Sequence, residues 1–496
     1  MVTASYTMEM EFSAGIWTNV MADVDANTLI TIRRGLDPWE RVAAIGQLTF
    51  KLHNLDNKYS PDHASAQAGF DIGTPVRIKA TYGGSTYPLF RGTIVDIFPS
   101  PGLLGERKTA VVAYDDMDKL DRRKLKRLSL QTNQRSDQIV SAIISNAMTP
   151  VATDYDTGND TYAFAGDTWR DEETSARQAV TDVVRSEWGT FHIEGDGTMN
   201  FRSRQSRPLN AIIDLALAGG WLVGQLEVSR KRSRVANIVE AQVIPRRTGT
   251  AATVMWTLED IPAIGPGQSR TFVAAYTDPD LEAARVGGQS MISPVATTDY
   301  TMNSDPGGGG TDLTGSFAVV ATFGANAAEI AVTNNHTMMG YITKLQIRGT
   351  PLLTYQTVTM RAEDATSADT YGPHELRLDM PIQDDPEVGQ DLAEYLKNVW
   401  KEPITQVSSV TILANSTASW MAAALGLDIN NQITITESET GLDAVAYFID
   451  GVEHNIAYGG FEHKTTWQLS PAFHSAMWVL GIAGKSELGE TTFLGF

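Results

Sequence analysis

One stretch resembles a phosphate-binding loop, namely GIAGKS at 481–486. Such a loop requires a glycine five residues before its Gly-Lys-Ser triplet, and this position holds Val479. The segment also lacks the buried strand before it and the helix after it that a phosphate-binding loop connects. Nucleotide binding at this position is therefore not expected.

Histidines and carboxylates offer two further kinds of chemistry. His454 and His463 could face each other across a hairpin around 458–460 and bind a metal ion, although the pattern favours two exposed strand residues. Three acids within 384–387 could supply a glycosidase pair, but acids at the start of a predicted helix are more simply explained by the helix dipole. No Gly-x-Ser-x-Gly motif is present for a serine nucleophile. The sequence therefore predicts no enzyme, no cofactor and no metal site.

Composition excludes several further classes of protein. The 496 residues contain no cysteine, which rules out disulfides, thiolate zinc sites and cysteine nucleophiles. No apolar run is long enough to span a membrane, and MVTASYTMEM at the start does not predict a secretory signal. The formal net charge of -20 should repel nucleic acid. It indicates either simple solubility or an acidic surface that nucleic acid passes without binding.

Two basic segments stand out against this acidic background: RRKLKR at 122–127 and RKRSR at 230–234. They could contact phosphates or an acidic neighbour, or the first could simply pair with the four aspartates at 115–121 before it. Because both segments flank predicted domain junctions, inter-domain or inter-subunit salt bridges are favoured. The resulting interface candidates are Arg122, Arg123, Lys124, Arg127, Arg230, Lys231 and Arg232.

The stretch from 29 to 97 alternates apolar and polar residues with the period of half-buried strands, most clearly in 48–52 and 76–80. Asn, Asp, Pro and Gly separate the runs and close turns between them. Together with its flanks this stretch predicts a first β-barrel over 1–120.

From about residue 121 the spacing of apolar residues changes from a period of two to a period of 3.6, which predicts a small α+β domain over 121–206. Ser136 is expected to cap one helix, and a second helix is expected over about 173–188. An Asp-Gly turn at 196–197 predicts a hairpin. Residues 207–247 are expected to be strands that lead to a second barrel.

The segment 248–365 is poor in charge and rich in Thr, Gly and Ala, with many short predicted strands. This texture predicts an inserted immunoglobulin-like β-sandwich. The earlier style resumes over 366–475, which predicts a second β-barrel with a helix at 389–401.

The last residues, 476–496, are apolar, Gly-rich and without helix caps. They predict an extended C-terminal arm whose Trp478, Phe493 and Phe496 need a surface to lie against. These three aromatic residues complete the predicted interface candidates.

A weak internal duplication links the two predicted barrels. No single identity is strong, so the similarity is either chance or the trace of two related barrels. Three landmarks recur in the same order: a strand at 48–52, VRI at 76–78 and FRGTI at 90–94, then a strand at 409–413, ITI at 433–435 and FIDGV at 448–452.

The string ITIRRG…GQLTFKLHNLDNKYSP…GTPVRI…LFRGTI resembles the N-terminal region of minor tail proteins of long-tailed bacteriophages. These belong with the baseplate-hub, or tail-tip hub, family. The strings YGPHELRLDMPI…AYFIDGVEHNI and WVLG…LGETTFLGF are similar to the C-terminal half of the same proteins. The segment at 248–352 departs from the minimal hub pattern.

The resemblance implies a fold that is mainly β with an α+β part, built on two tail-tube-like β-barrels. It also implies a homotrimeric virion protein, assembled in the host cytoplasm, whose ring joins a sixfold tail tube to a threefold tip. Two barrels in each of three chains give the same six units, and a head-to-tail interface can close them into a ring.

Partners implied by the resemblance are a distal tail protein or tail tube protein, the tape-measure protein, and distal tip or receptor-binding proteins. DNA would pass through the lumen without specific binding. The alternative is a carbohydrate-binding or adhesive tail protein that contacts the host surface through the inserted sandwich.

Overall fold

The computed structural model describes residues 2–37, 39–102, 106–210, 212–218, 226, 228–281 and 284–472. It is mainly β, with 46% strand and 18% helix, which confirms the predicted class. Its strands form several sheets, and none of the described sheets closes on itself.

The N-terminal region supplies seven strands whose alternation is as predicted. In the two stretches that carried the prediction, the apolar residues Leu48, Phe50, Leu52, Val76, Ile78 and Ala80 are all buried. The elements are β1 (Ser5–Ser13), β2 (Ile16–Asn19), β3 (Ile30–Gly35), β4 (Gln47–His53), β5 (Pro75–Tyr82), β6 (Ser85–Ser100), β7 (Lys108–Tyr114) and α1 (Asp116–Arg122).

Two helices follow where the period changes. Both predicted helices are confirmed, because their apolar faces are buried against the same core as the N-terminal strands. Ser136 does not cap the first of them: Arg135 occupies the N-cap position, and the Ser136 hydroxyl donates to Glu187 Oε2 at 2.9 Å. The second is capped by Ser175, whose side chain accepts from the backbone N–H of Gln178. The elements are β8 (Gln131–Arg135), α2 (Ser136–Ala147), β9 (Ala152–Tyr155), β10 (Thr161–Ala165), α3 (Ala176–Glu187), β11 (Thr190–Ile193), β12 (Thr198–Arg202) and α4 (Ser206–Leu209).

The inserted segment is a two-sheet sandwich with a core of its own. The central strand of the larger sheet is β24, which pairs with five others, and β19-β23-β22 form the second sheet. An immunoglobulin-like strand order is not confirmed. The elements, with the three strands that precede them, are β13 (Leu215–Ala218), β14 (Val228–Arg230), β15 (Ile238–Val243), β16 (Arg246–Thr248), β17 (Thr253–Thr257), β18 (Ala263–Ile264), β19 (Ser269–Ala275), β20 (Gly287–Ile292), β21 (Tyr300–Asn303), β22 (Phe317–Phe323), β23 (Ala327–Asn334) and β24 (Gly340–Thr354).

A third hydrophobic core is formed by β15, which precedes the sandwich along the chain, and by the elements that follow the sandwich. Its elements are β25 (Val358–Glu363), α5 (Ala365–Tyr371), β26 (Glu375–Met380) and α6 (Pro386–Trp400), and β15 is the middle strand of its sheet. The helix predicted at 389–401 is α6, and it packs on this sheet through Leu392, Ala393 and Leu396. The prediction that this helix belongs to the second barrel was therefore wrong. The helical period of a sequence shows that a segment is a helix, but it does not show which sheet the helix packs on.

The C-terminal strands rejoin the N-terminal ones in one sheet. The elements are β27 (Thr405–Val407), β28 (Ser409–Leu413), α7 (Ala418–Gly426), β29 (Gln432–Glu437), β30 (Leu442–Ala457) and β31 (Glu462–Pro471). The twelve-stranded order is β13-β29-β30-β3-β4-β7-β6-β5-β1-β2, with β31 beside β30 and β28 beside β31. Because β3 pairs along β30, the two predicted barrels are continuous in hydrogen bonding, and two separate closed barrels are not confirmed.

Candidate assembly interface

One pattern of strand pairing occurs twice in the large sheet. The first copy has the order β4-β7-β6-β5, and the second has the order β28-β31-β30-β29, with every neighbour antiparallel. In each copy the four strands follow one another along the chain in the same sequence. The weak repeat in the sequence therefore corresponds to a repeated four-strand unit.

Both copies carry a β-bulge at the same place. Val95 is the extra residue of β6 opposite β7, and Asp450 is the extra residue of β30 opposite β31. Matching the bulges aligns FRGTI at 90–94 with VAYFI at 445–449, not with the landmark FIDGV at 448–452. The sequence comparison matched similar side chains, whereas a β-bulge is defined by the backbone pairing of two strands. The register inferred from the sequence was therefore shifted.

The first basic segment pairs within the chain. Arg122 pairs with Asp118, one turn earlier in α1, as the alternative interpretation of this segment expected. Arg123 donates from Nη1 to the carbonyl oxygen of the last residue of α2, at 2.7 Å. The backbone of Lys124 bridges to the residue before α3. The contacts of Arg123 and Lys124 hold the end of α1 against the end of α2 and the start of α3.

Arg127 links two regions of the chain. Its Nη2 lies 2.5 Å from Oε2 of Glu329 in β23, and its Nη1 pairs with Asp171. The neighbouring carboxylates raise the pKa of Arg127 against the opposing effect of burial. This is an inter-domain salt bridge between the α+β region and the sandwich. A contact with another subunit stays a prediction for this segment.

Arg230, Lys231 and Arg232 lie at the end of β14 and just after it, all exposed. None of the three forms an ion pair within the described part of the chain. They remain candidates for a partner's carboxylates. The other candidates, Trp478, Phe493 and Phe496, and the GIAGKS stretch lie outside the described residues.

The two histidines meet in the core, and the interpretation as exposed strand residues was wrong. His463 Nε2 lies 3.0 Å from His454 Nδ1, and Tyr6 Oη in β1 lies 2.8 Å from His463 Nδ1. Burial lowers the pKa of His463 to about 4 and the pKa of His454 well below its usual value, so both rings are neutral. The pair joins β1 to β30 and β31. The sequence pattern missed this because three polar side chains can satisfy one another inside a core.

The acids at 384–387 lie at the N-terminus of α6, as the helix-dipole interpretation predicted. The Asp385 carboxylate accepts from the backbone N–H of Glu387 at 2.9 Å and caps the helix. Within the described ranges, no group of three or more histidines and carboxylates could hold a metal ion. No helix in this part of the chain has the length and apolar character to cross a membrane.

A buried arginine that sequence reasoning missed connects three elements. Arg34 donates from Nη2 to Asp428 at 2.8 Å and from Nη1 to the carbonyl oxygen of Ile193 at 3.1 Å. These contacts join β3 to β11 and to the loop after α7. A signal was present, because Arg34 is in phase with the inward-facing Ile30 and Ile32 of the same strand.

A second buried arginine, Arg246, lies at the first strand of the sandwich. Arg246 Nε lies 2.8 Å from Asp167 Oδ2, and both side chains are almost completely buried. Arg246 also donates to the carbonyl oxygens of Ile244 and Pro381, at 3.0 and 2.8 Å. The guanidinium therefore joins the α+β region, the start of the sandwich and the third core.

Asn326, between β22 and β23 of the sandwich, makes a further contact with the α+β region. Its amide nitrogen donates to the carbonyl oxygens of Trp169, Asp167 and Gly166. Its carbonyl accepts from the backbone N–H of Asp171 at 3.3 Å. With Arg246 and Arg127, this side chain fixes the sandwich against the α+β region.

No protein-family model matches the sequence. No curated protein matches it. The fold, however, has counterparts among solved structures, and two of them are described as tail proteins.

The 43 kDa tail protein of prophage MuSo2 from Shewanella oneidensis matches with a TM-score of 0.50 and 9% identity, over 95% of this chain and 98% of that one. A tail protein from Neisseria meningitidis MC58 matches with a TM-score of 0.50 and 9% identity, over 94% and 96% of the two chains. The resemblance to tail proteins that the sequence predicted is confirmed at the level of the fold.

Proposed function

We propose that this chain is a structural protein of a bacteriophage tail tip. In this proposal it is a homotrimeric hub that joins a sixfold tail tube to threefold distal proteins and encloses a channel for DNA ejection. The observation that carries the proposal is the repeated four-strand unit. Three chains with two units each present six similar units in a ring, which suits a sixfold partner on one side and a threefold partner on the other.

The open sheet supports ring formation. Within the described residues β2 pairs only with β1, β13 only with β29 and β28 only with β31, so these three terminal strands keep unpaired backbone groups. Unpaired strand edges are suited to contact with a neighbouring chain. The exposed cations Arg230, Lys231 and Arg232, at the end of a separate two-stranded sheet, supply a charged surface for contact with a neighbouring chain.

The proposal places the protein in the virion after assembly in the host cytoplasm. Its partners would be the tube or distal tail protein, the tape-measure protein and the distal tip or receptor-binding proteins. The net charge of -20 supports a channel that DNA passes without specific binding, because carboxylates repel phosphates.

The mass of the purified full-length chain in solution tests the hub. We expect a particle of three times the 53.9 kDa of one chain, and the same stoichiometry in disassembled tails. Replacement of Arg230, Lys231 and Arg232 by Glu should shift the trimer toward monomer. Replacement of Arg170, an exposed arginine with a local partner, should not. A stable wild-type monomer in intact virions contradicts the hub.

A second candidate is host-surface adhesion through the sandwich. The observation that favours it is the outer face of β19-β23-β22, where Val273 and Val320 are 57% and 63% exposed. Replacing both valines with Lys should lower adsorption to host cells while tails still assemble. Unchanged adsorption removes this candidate.

A further inference from the structure

One edge strand of the sandwich lacks the features that normally keep strand edges from pairing with other chains. The strand is β22, with the sequence FAVVATF, and it forms one edge of the sheet β19-β23-β22. It contains no charged residue and no proline, and it pairs with β23 over seven residues without a bulge. Natural edge strands are usually short, charged or bulged, because a flat apolar edge pairs with further strands. β22 is therefore suited to accept another strand.

The backbone of β22 has free hydrogen-bonding groups on its open side. At the turn into β23, the N–H of Gly324 donates to the carbonyl oxygen of Ala327 at 2.7 Å. Bonded positions alternate in an antiparallel pair, so the even-numbered residues of β22 bond to β23 and the odd-numbered ones point away from it. Val319 and Ala321 therefore direct their N–H and C=O groups to the open side, where no described backbone group bonds to them.

The open edge also leaves the core of the sandwich partly uncovered. Ile330 and Val332 of the central strand β23 are completely buried. The inward-facing Val319, Ala321 and Phe323 of β22 pack against the same core but are only half-buried, because no neighbouring strand covers their other side. A strand placed along β22 would bond its free backbone groups and cover this apolar surface at the same time.

The sequence of β22 is complementary to its own reverse. Two antiparallel copies of β22 centred on position 320 would pair uncharged residues throughout, namely Val320 with Val320, Val319 with Ala321, Ala318 with Thr322 and Phe317 with Phe323. This register also satisfies the backbone. Val319 of one copy and Ala321 of the other both have free groups, so they would exchange two hydrogen bonds.

Charges beyond the two ends of β22 favour the same antiparallel order. The segment before the strand carries Asp305 and Asp312, and neither forms an ion pair within the described part of the chain. The other end lies beside the first basic segment, because a Cβ on Gly324 would be 3.2 Å from the Cα of Arg127, and the neighbouring Lys126 is 71% exposed. An antiparallel pair brings the acidic end of one copy to the basic end of the other, whereas a parallel pair brings like charges together.

We propose that β22 is a homotypic contact site through which the sandwiches of two copies of this chain join into one continuous sheet. The occupant is a second copy, because the residue order, the uncharged edge and the charges at its ends all complement themselves. Such a contact has twofold symmetry, so it would link chains of different hub rings and does not rest on the proposed hub. One strand edge buries little area compared with the roughly 1,200 Å² of a stable complex, so the association should be weak and depend on concentration.

Single cysteines can report on this contact directly, because the chain has none of its own. Under mild oxidation of the full-length protein, Val320→Cys should form a disulfide-linked species of twice 53.9 kDa, because the two thiols face each other. The matched control is Val273→Cys on the other edge strand, since Val273 and Val320 are 57% and 63% exposed on the same outer face. Equal linkage at both positions, or none at position 320, overturns the proposal.

A mixture of two single variants tests the register. Ala318→Cys and Thr322→Cys should link poorly when each is oxidised alone and should form a mixed disulfide when they are combined, because these positions are opposite each other only between copies. Linkage of Ala318→Cys to itself that equals the mixed linkage contradicts the antiparallel pair and indicates unspecific association.

Sedimentation gives a readout without oxidation. The average mass of the wild type should rise with concentration, and Val320→Lys should abolish this rise because it places two like charges directly opposite each other. Val273→Lys should keep the rise, and both variants should unfold thermally at the same temperature as the wild type because both positions are exposed. A wild-type mass that is independent of concentration overturns the contact.

The same experiments separate this contact from the hub. A chain that is monomeric in dilute solution and in tails but still links at position 320 refutes the hub and leaves the contact standing. A stable trimer without linkage at position 320 refutes only the contact through β22.

Discussion

Removal of the Asp167 carboxylate is expected to leave a buried positive charge without its partner. In the folded chain Arg246 is 0% exposed and Asp167 is 1% exposed at the side chain, and the Nε–Oδ2 distance is 2.8 Å. Asp167→Ala keeps the two carbonyl acceptors of Arg246 but removes its only salt-bridge partner among the described residues, leaving the carboxylate of Asp384 as a more distant counter-charge.

The expected cost follows from this burial. Breaking a buried ion pair by removing one partner typically destabilises a protein by about 3–5 kcal/mol. An exposed pair typically contributes about 0–1 kcal/mol. The chain contains a matched exposed pair, Arg170 with Glu173, whose side chains are 67% and 62% exposed. Glu173→Ala is therefore the control.

Hydrogen exchange measured peptide by peptide is the suitable assay, because three cores need not unfold together. In Asp167→Ala, β16 and the end of β24 should lose protection corresponding to several kcal/mol, and Glu173→Ala should leave both unchanged.

A double variant separates charge burial from packing. Arg246→Met combined with Asp167→Leu should be more stable than either single variant, because no unpaired charge remains. An Asp167→Ala protein within about 1 kcal/mol of wild type would refute the reasoning, since a pair of that value behaves as an exposed one.

Three further predictions concern single side chains. Gly69 and Gly15 have φ of +82° and +79°, but only at Gly69 would a Cβ overlap a backbone carbonyl of β1. Gly15→Ala should therefore lower the free energy of unfolding by about 1–2 kcal/mol, and Gly69→Ala should lower it clearly more. Urea unfolding measures both. Burial lowers the pKa of His463 from 6.5 to about 4, so its contribution to the free energy of unfolding is complete above pH 6.5 and is lost as pH falls to about 4. The stability difference between wild type and His463→Gln should shrink by about 3 kcal/mol over that range, and a constant difference would contradict the burial argument. Asn326→Ala should cost about 1–3 kcal/mol by thermal unfolding, whereas the exposed Asn335→Ala should cost under about 0.5 kcal/mol.

Local patterns predicted the elements well. The face of α2 from Ile139 to Ala147 is buried where the 3.6-residue period indicated, and β4 and β5 alternate as a period of two requires. These predictions succeeded because both periods follow from backbone geometry within one element. The weak repeat was also visible, although its register near 448–452 was shifted.

Contacts between distant elements were not predictable in the same way. The sequence indicated that β3 has an inward face, but not that it pairs with β30. It marked His454 and His463 as exposed, yet Tyr6 from the other end of the chain completes their hydrogen bonds. It gave no sign that Arg246 would meet Asp167. Each of these depends on a partner that lies far away along the chain.

The sequence by itself therefore determined which segments are strands and helices, which of their faces are apolar, and that a related strand pattern occurs twice. Only the tertiary structure decided that both copies share one open sheet and that α6 covers a third core. The physical reason is that periodicity is set by neighbours in the chain, whereas strand pairing and buried charge are set by neighbours in space.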